Sequence, residues 1–435
     1  MPDDLTTSDV PPPTVVVGGP SIPDSGGQVG ESLTQIGEGL ASTFSEVLAA
    51  MPDAATGPIL LARRTGIDKV LASRILRAAQ ARDPLSALHA MPGPAPLRRA
   101  LRAFARQGVD ADRIRRAGAA IDRFESLLSR QAGGRGSLDT LLSAWVPEAR
   151  SEFELRRKQS AFRATSQLKG VETRLLLGTV ILHPSADGAH LDVVWLTALH
   201  GLHRLRPGAL VRVATRRVAQ EQVARQPRGL DGHPIEDGAT PLVAAFCSTP
   251  RPAVAAVRTG DVVHYTLADD RYGASSAVDL VLGESNPAEM ERRPVPGSGR
   301  VPWFFAEVST PAKVLQFDAI VHRGVYPGIT PSLRLYETAF EGVASPNNPS
   351  RDVDVLDMQE SIDDMGQAGT LGPARWRSRD AARYTDLLAH TFATLSWDAS
   401  AFRGYRTRID YPIFGTQVTM TFGEPIRGAG GPKEG

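Results

Sequence analysis

The chain is poor in cysteine and contains only Cys247 among its 435 residues. A single thiol cannot form an internal disulfide or a cysteine-based zinc cluster, so both kinds of scaffold are excluded. Unbroken apolar runs are also short, as in Leu175–Leu177 and Val193–Leu196, whereas a membrane-spanning helix needs about 18 such residues. The sequence therefore predicts no membrane span, and it favours a reducing compartment.

Basic residues are absent from the first 56 positions, which hold eight acidic residues. A secretory signal peptide starts with a basic segment, so none is expected and we expect a cytoplasmic protein. Short catalytic signatures are missing as well, because no G-x-S-x-G, P-loop or H-E-x-x-H pattern occurs. The sequence therefore offers no candidate catalytic residue and no candidate metal ligand, and it leaves the cofactor unknown.

The composition that remains is typical of globular proteins, with 42% hydrophobic residues, 22% charged residues and a net charge of +1. At roughly 100 to 200 residues per domain, this length predicts two or three folded units. The near-neutral total hides an uneven distribution, since residues 57–130 hold 15 basic and 6 acidic residues. That segment is the part of the chain that would attract a polyanion.

The N-terminal 170 residues carry helical patterns after a segment rich in helix breakers. Residues 1–30 contain six prolines and five glycines, a density that predicts a disordered tail. From residue 32 the apolar residues recur at steps of three and four, which predicts an amphipathic helix ending before Pro52. Further helices are predicted as two short elements within 57–82, then at 97–107, from Asp110 as N-cap to about 130, at 137–145, and at 148–168 behind Pro147.

Beyond Gly170 the apolar period changes from helical to alternating. Leu315, Phe317 and Ala319 alternate with polar residues, which predicts a half-buried strand. Two alternating segments on either side of 412–415 predict a hairpin, and a helix is predicted at 380–395. Other strands are predicted at 174–182, 190–199, 210–215, 242–247, 262–267, 278–282 and 333–340.

Runs of strands that follow runs of helices predict an α+β protein, in which an N-terminal all-α module precedes an antiparallel β-rich domain. We expect a disordered tail at 1–30, a helical module at 31–135 and linking helices at 136–170 that would suit either dimerisation or packing within one monomer. The β-rich domain is expected at 171–424, for ligand sensing or oligomerisation, with a second disordered tail at 425–435.

The most specific local pattern lies between Ala62 and Leu76. Two short helices that meet at a tight turn need a small residue at their crossing and a turn residue tolerant of unusual backbone angles. Ala62 and Gly66 meet these two needs. Apolar residues must join the second helix to the first, and its first turn needs an N-cap; Asp68 can supply the cap. The joining residues are Ile67, Ala72 and Ile75.

This segment, residues 57–78, resembles the helix-turn-helix of bacterial transcriptional regulators such as the LacI and IclR families. An alanine, a glycine four residues later and a Ser-Arg pair on the second helix are usual there, and Ala62, Gly66 and Ser73-Arg74 match them. The resemblance covers about 20 residues. It implies a transcriptional regulator that binds double-stranded DNA as a homodimer, with a small-molecule effector as a possible further partner.

The resemblance also implies which residues meet the DNA, with the second helix in the major groove. Lys69, Val70 and Arg74 would face bases, whereas Arg63, Arg64, Ser73 and Arg77 would contact phosphates. The sequence departs from the families at Val70 and Leu71, where they usually carry polar base readers. Apolar residues at these positions would either touch thymine methyls or be buried against another helix.

Two other classes of protein remain open at the level of sequence. One is an enzyme whose β-rich domain acts on a small or nucleotide substrate, with the helical third as a docking module. The other is a structural or interaction protein without catalysis.

Overall fold

The computed structural model describes residues 25–51, 57–130, 134–217, 227–236, 238–260, 262–293 and 299–423. It divides into two compact units, Met1–Phe153 and Glu154–Gly435. Helices form the first unit, and sheets whose strands are mostly antiparallel dominate the second. The chain is therefore an α+β protein with its helices first. Across the described residues, no helix has both the length and the apolarity needed to cross a bilayer.

Eight helices are described up to Lys169, and the division between the units falls inside the last of them. They are α1 (Ser25–Ala49), α2 (Pro58–Thr65), α3 (Lys69–Gln80), α4 (Pro84–Ala90), α5 (Pro94–Arg106), α6 (Ala111–Arg130), α7 (Arg135–Leu142) and α8 (Pro147–Lys169).

The first helix begins earlier than the sequence predicts. Because α1 starts at Ser25, the predicted tail over 1–30 is wrong for its last six residues. Each glycine there costs about 1 kcal/mol relative to alanine. The apolar side chains at positions 33, 40, 44 and 47 of the same helix are fully buried, and their burial outweighs that cost. The remainder of the predicted tail and the predicted tail at 425–435 lie outside the described residues.

Helix α5 begins three residues earlier than the helix predicted at 97–107. The chain leaves α4, a helix that the sequence patterns did not predict, at Met91 and re-enters a helix at Pro94. Proline is tolerated in a first turn because its missing N–H has no helical partner there. Asp83 caps α4 by accepting a hydrogen bond from the Ser86 N–H at 2.7 Å.

One apolar core unites the helices of the first unit. It takes side chains from α1, α3, α5 and α6, and it continues through Leu138 and Leu142 of α7 to Ala149 of α8. The predicted N-cap of α6 is confirmed, since Asp110 accepts a hydrogen bond from the Arg113 N–H at 3.0 Å. The predicted first-turn position of Pro147 is also confirmed.

The second unit contains the described strands and one further helix, α9 (Tyr384–Leu395). The strands are β1 (Val171–Pro184), β2 (His190–Arg204), β3 (Arg212–Arg217), β4 (Arg228–Gly229), β5 (Val254–Thr259), β6 (Val262–Leu267), β7 (Val278–Glu291), β8 (Trp303–Glu307), β9 (Ala312–His322), β10 (Ser332–Glu337), β11 (Asp363–Gln367), β12 (Phe402–Asp410) and β13 (Thr416–Thr421).

A seven-stranded sheet forms the centre of this unit, in the order β11-β12-β9-β1-β2-β7-β4. Its strands pair antiparallel except β1 and β9, which run parallel. Two three-stranded antiparallel sheets, β10-β13-β8 and β3-β6-β5, pack on one face and share a core with it. The other face is covered by α9 and the turns beside it.

Strand β9 is a central strand covered on both faces, so the prediction of a half-buried strand is wrong. Its polar residues Gln316 and Asp318 are as buried as its apolar ones. They face α9, where the Tyr384 hydroxyl donates to Asp318 Oδ2 at 2.6 Å. Arg406 of β12 makes a two-pronged ion pair with the same carboxylate, with its Nη2 at 2.7 Å from Oδ2 and its Nε at 2.9 Å from Oδ1. A buried polar network thus replaces the expected solvent-facing side.

The hairpin predicted around 412–415 is also wrong. Both strands exist, but β12 pairs with β9 and β11, whereas β13 pairs with β10 and β8 in a different sheet. The connecting segment therefore joins two packed sheets, which lets both strands bury apolar faces in one core. The strand predicted at 242–247 is instead a 3-10 turn, Ala244–Phe246.

Two histidines lie side by side at the carboxyl ends of the parallel strands. His183 is the residue before the end of β1 and stacks on Trp397 with ring centroids 4.5 Å apart, and His322 ends β9 with its ring 5.1 Å from that of His183. Burial lowers the pKa of both imidazoles, and for His322 the neighbouring His183 and Arg323 lower the pKa further. Folding therefore disfavours protonation of both rings.

This pair predicts a loss of stability in acid. Above the ordinary histidine pKa of about 6.5, both rings are neutral in the folded and unfolded chain and add no pH dependence. As the pH falls below that value, the unfolded chain takes up protons that folded His183 and His322 resist, so unfolding becomes easier. We expect His183→Phe, which keeps the stacked ring, to lose less stability between pH 7 and 5 than the wild type. Urea unfolding at both pH values measures this, and an equal loss in the two proteins would contradict it.

Candidate nucleic-acid interface

The turn between α2 and α3 is built as the sequence predicts. Gly66 follows the last residue of α2 with φ 73° and ψ 12°, the left-handed region where glycine avoids strain. Its N–H donates to the Ala62 carbonyl at 2.9 Å and so closes the end of α2. Two residues later Asp68 caps α3, because its Oδ1 accepts a hydrogen bond from the Leu71 N–H at 2.8 Å. Two short helices therefore meet at a three-residue corner.

One side of α3 is fixed to the helical core. Leu71, Ala72, Ile75 and Ala78 are buried in it, and Ile67 of the turn packs against it. These positions fall at the three- and four-residue steps that place side chains on one face of a helix. The prediction that Ile67, Ala72 and Ile75 join the second helix to its neighbours is confirmed.

The opposite side of α3 is open. Lys69, Val70 and Arg77 are exposed, and Ser73 lies half-buried between them on the same stripe. Helices α2 and α3 contain no acidic residue, and the Asp68 that precedes α3 is engaged in its cap. We call this stripe, residues 69, 70, 73 and 77, the outer face of α3. It carries positive charge and hydrogen-bonding groups on one short helix.

The sequence left open whether Val70 and Leu71 are exposed or buried against another helix, and the structure places them differently. The side chain of Val70 is 69% exposed, whereas that of Leu71 is buried. An exposed valine in the middle of a cationic stripe has no packing role in the described part of the chain. Such a methyl surface suits contact with a thymine methyl in the major groove.

Arg74 occupies a different environment from the other predicted base readers. Its Nε donates to the Ala90 carbonyl and its Nη2 to the Met91 carbonyl, each at 3.1 Å. Arg135 joins it there, donating to the carbonyls of His89 at 2.7 Å and Met91 at 2.9 Å. Two guanidinium groups thus satisfy the carboxyl end of α4, where the helix dipole favours positive charge. This geometry gives Arg74 a structural role at the edge of the outer face.

The predicted phosphate contacts on α2 lie beside the turn. Arg63 is exposed and Arg64 is half-buried near the end of α2, one turn or less from Gly66. Cationic side chains at the carboxyl end of a helix are favoured by its dipole. The structure therefore brings Arg63 and Arg64 to the corner that precedes α3.

A second cationic stripe lies on α5 and was not predicted from the sequence. Arg99, Arg102 and Arg106 are exposed, and no ion pair involves them within the described ranges. The adjacent Arg98, by contrast, pairs with Asp122 at 2.7 Å and Glu125 at 2.6 Å on α6. Spacings of three and four between the three arginines were visible in the sequence and are the signal that would have found this stripe.

Comparison with known proteins adds little to this geometry. No family model and no curated protein matches the chain. A solved structure of a "putative protease" from Parabacteroides distasonis is similar at 8% identity and a TM-score of 0.24. The match covers 58% of this chain and 40% of that one. A TM-score this low does not establish a shared fold. Among the described residues, no group of three or more His, Cys, Asp or Glu side chains is placed to hold a metal ion.

Proposed function

We propose that this protein binds duplex DNA by placing the outer face of α3 in the major groove, and that it regulates transcription in the cytoplasm. The observation that carries the proposal is the two-sided character of α3. One side is buried in the helical core, and the other presents Lys69, Val70, Ser73 and Arg77 with no acidic residue among them.

The division of roles follows from these positions. Lys69 and Val70 open the helix, the part of a recognition helix that comes nearest to base edges. Ser73, Arg77 and Arg63 provide hydroxyl and cationic contacts to phosphates, which set register and salt dependence. Arg74 joins α3 to the carboxyl end of α4 and so fixes the position of α3.

The test uses the full chain and a labelled 30-base-pair duplex, with affinity measured by fluorescence anisotropy at several salt concentrations. We expect Lys69→Ala combined with Arg77→Ala to weaken binding about 10- to 100-fold. Removing a cationic side chain that neutralises one phosphate should also reduce the slope of log affinity against log salt by about 0.9.

A matched control removes two positive charges elsewhere on the helical unit. Arg115 and Arg130 of α6 are exposed, so the Arg115→Ala, Arg130→Ala protein has the same net charge as the test protein. It should bind almost as well as the wild type. Equal weakening in both double variants, or wild-type binding without salt dependence, would contradict the proposal.

Dimeric binding is a further part of the proposal. A homodimer would protect two half-sites separated by one helical turn, about 10 base pairs between centres. Footprinting on the DNA upstream of the protein's own coding sequence reads this spacing directly. A single protected half-site would contradict the dimer and leave the assignment of α3 intact.

A further inference from the structure

A cleft lies in the second unit where the amino end of α9 meets β1, β2 and β7. Its volume is about 260 Å³. Leu177, Val281 and Leu387 are buried beneath it, and Phe246, Cys247 and Ala382 give the cleft its accessible apolar lining. Polar side chains converge on the same space from five segments of chain: Arg174, His200, Ser248, Asp279 and Arg383. A cleft with an apolar lining and a few convergent polar groups is the usual form of a ligand site.

A bulge in β2 builds one wall of this cleft. The register with β7 shifts between Leu199 and Leu202, and Gly201 takes φ 68° there. The Gly201 N–H donates to Asp279 Oδ1 at 2.7 Å, and His200 Nδ1 lies 3.4 Å from Asp279 Oδ2. The hydrogen bonds from His200 and Gly201 lower the pKa of Asp279. The bulge therefore turns His200 toward Asp279 and satisfies that carboxylate from within the protein.

Cys247 and Ser248 line the cleft beside β7 and are hydrogen-bonded to it. The Ser248 hydroxyl accepts the Asp279 N–H at 2.7 Å, and the Ser248 N–H donates to the Asp279 carbonyl at 2.8 Å. The Cys247 thiol donates to the Val243 carbonyl at 3.5 Å and accepts the Val281 N–H at 3.4 Å. Burial raises the pKa of Cys247, so the thiol stays neutral. These contacts fix Cys247 and Ser248 as part of the lining, and they do not activate the Cys247 thiol as a nucleophile.

Two arginines stand at the rim of the cleft. The charge of Arg174 helps to lower the pKa of Asp279 and of Asp380, and the Arg383 guanidinium lies 4.6 Å from the centroid of the Phe246 ring. Arg174 donates one N–H to the Asp380 carbonyl at 2.8 Å, and Arg383 donates one to the Ala245 carbonyl at 3.0 Å. Neither guanidinium forms an ion pair with a carboxylate in the described part of the chain. Arg383 also stands at the amino end of α9, where no side chain caps the helix. The two arginines and the dipole of α9 all favour an anion at this place.

We propose that this cleft binds a small organic carboxylate, with its apolar body against Phe246, Cys247 and Ala382 and its anionic head between Arg174 and Arg383. A single negative charge fits better than two, because Asp279 already places a carboxylate on the lining. The volume limits the ligand to the size of a small aromatic or short-chain acid. This inference rests on the second unit alone, so it stands or falls separately from DNA binding by α3.

The experiment uses benzoate as the probe, the full-length protein, and isothermal titration calorimetry. Benzyl alcohol has the same ring without the charge and serves as the ligand control. We expect saturable binding of benzoate at one site, and at least tenfold weaker binding of benzyl alcohol and of inorganic phosphate. Arg383→Ala and Arg174→Ala should each weaken benzoate binding about tenfold. Arg379→Ala, at an exposed position outside the lining, should leave it unchanged.

Cys247 gives a second readout, because it is the only thiol of the chain and lines the cleft. Benzoate should slow alkylation of Cys247 by iodoacetamide, measured by mass spectrometry, and benzyl alcohol at the same concentration should not. Thermal melting confirms that the arginine variants are folded. The absence of saturable benzoate binding, or equal affinity for benzyl alcohol, would overturn the proposal. Unchanged affinity in both rim variants would overturn it as well.

Discussion

Asp318→Asn is expected to destabilise the β-rich unit by about 3 to 5 kcal/mol, the usual cost of removing one partner from a buried ion pair. The Asp318 carboxylate is fully buried, and Arg406, which pairs with it, is only 12% exposed. The substitution keeps the shape of the side chain but removes the charge, so the Arg406 guanidinium stays buried without its counterion.

Tyr384 adds to this loss. Its hydroxyl donates to Asp318 at 2.6 Å and contacts the Thr179 hydroxyl at 3.1 Å. Burial first, and then the charge of Asp318, raise the pKa of Tyr384 well above its usual value, so the hydroxyl remains a protonated donor. An amide in place of the carboxylate is a weaker acceptor for this hydroxyl. One substitution therefore weakens two interactions of the network, the ion pair with Arg406 and the hydrogen bond from Tyr384.

Urea unfolding followed by tryptophan fluorescence measures the effect, because four of the five tryptophans lie in the second unit. The matched control is Asp352→Asn, which breaks an ion pair with Arg334 in which Asp352 is 57% exposed. Solvent screens such a pair, so we expect a change within about 0.5 kcal/mol. A loss for Asp318→Asn as small as that of the control would show that the buried pair adds no stability.

The same network shows where sequence reasoning about the fold ends. Alternation along β9 correctly predicts a strand, but it assigns Gln316 and Asp318 to solvent. The burial of Asp318 depends on Tyr384 and Arg406, and that of Gln316 on Ser378, all of which lie more than 60 residues further along the chain. Local signals were sufficient where the partner is near, as in the cap that Asp68 provides for Leu71. The predicted hairpin is wrong for the same reason as the predicted exposure of Asp318. The pairing of β12 and β13 is decided by strands that are distant in the sequence.

The candidate interface follows the same pattern. Helical spacing separates the buried face of α3 from the face with Lys69, Ser73 and Arg77, and this separation was predictable. Arg74 lies at the border between the two faces, where spacing alone does not decide. Its partners are the carbonyls of Ala90 and Met91, at the end of a helix that the sequence patterns did not predict. A local motif identifies a turn and a face, but not which of its arginines the rest of the fold occupies.

Gly37→Ala is expected to destabilise the helical unit by about 3 kcal/mol, at the upper end for overpacking. Helix propensity alone predicts the opposite, since alanine is favoured over glycine in a helix interior by about 1 kcal/mol. The difference lies in the packing of α1 against α4. A Cβ on Gly37 would lie 2.1 Å from the Pro84 carbonyl oxygen and 2.8 Å from its carbon. These are backbone atoms of the first residue of α4, so relief requires the two helices to move apart.

Gly118→Ala is the matched control, because Gly118 is also inside a helix, α6, but a Cβ there meets nothing within 4 Å. It should stabilise the same unit by roughly 0.5 to 1 kcal/mol, through propensity alone. Far-UV circular dichroism during thermal unfolding should therefore show midpoint shifts of opposite sign for one chemical change at two helical glycines. A rise in midpoint for both variants would mean that α1 and α4 do not approach as closely as this fold requires. The glycine at position 37 would then have no packing reason to be there.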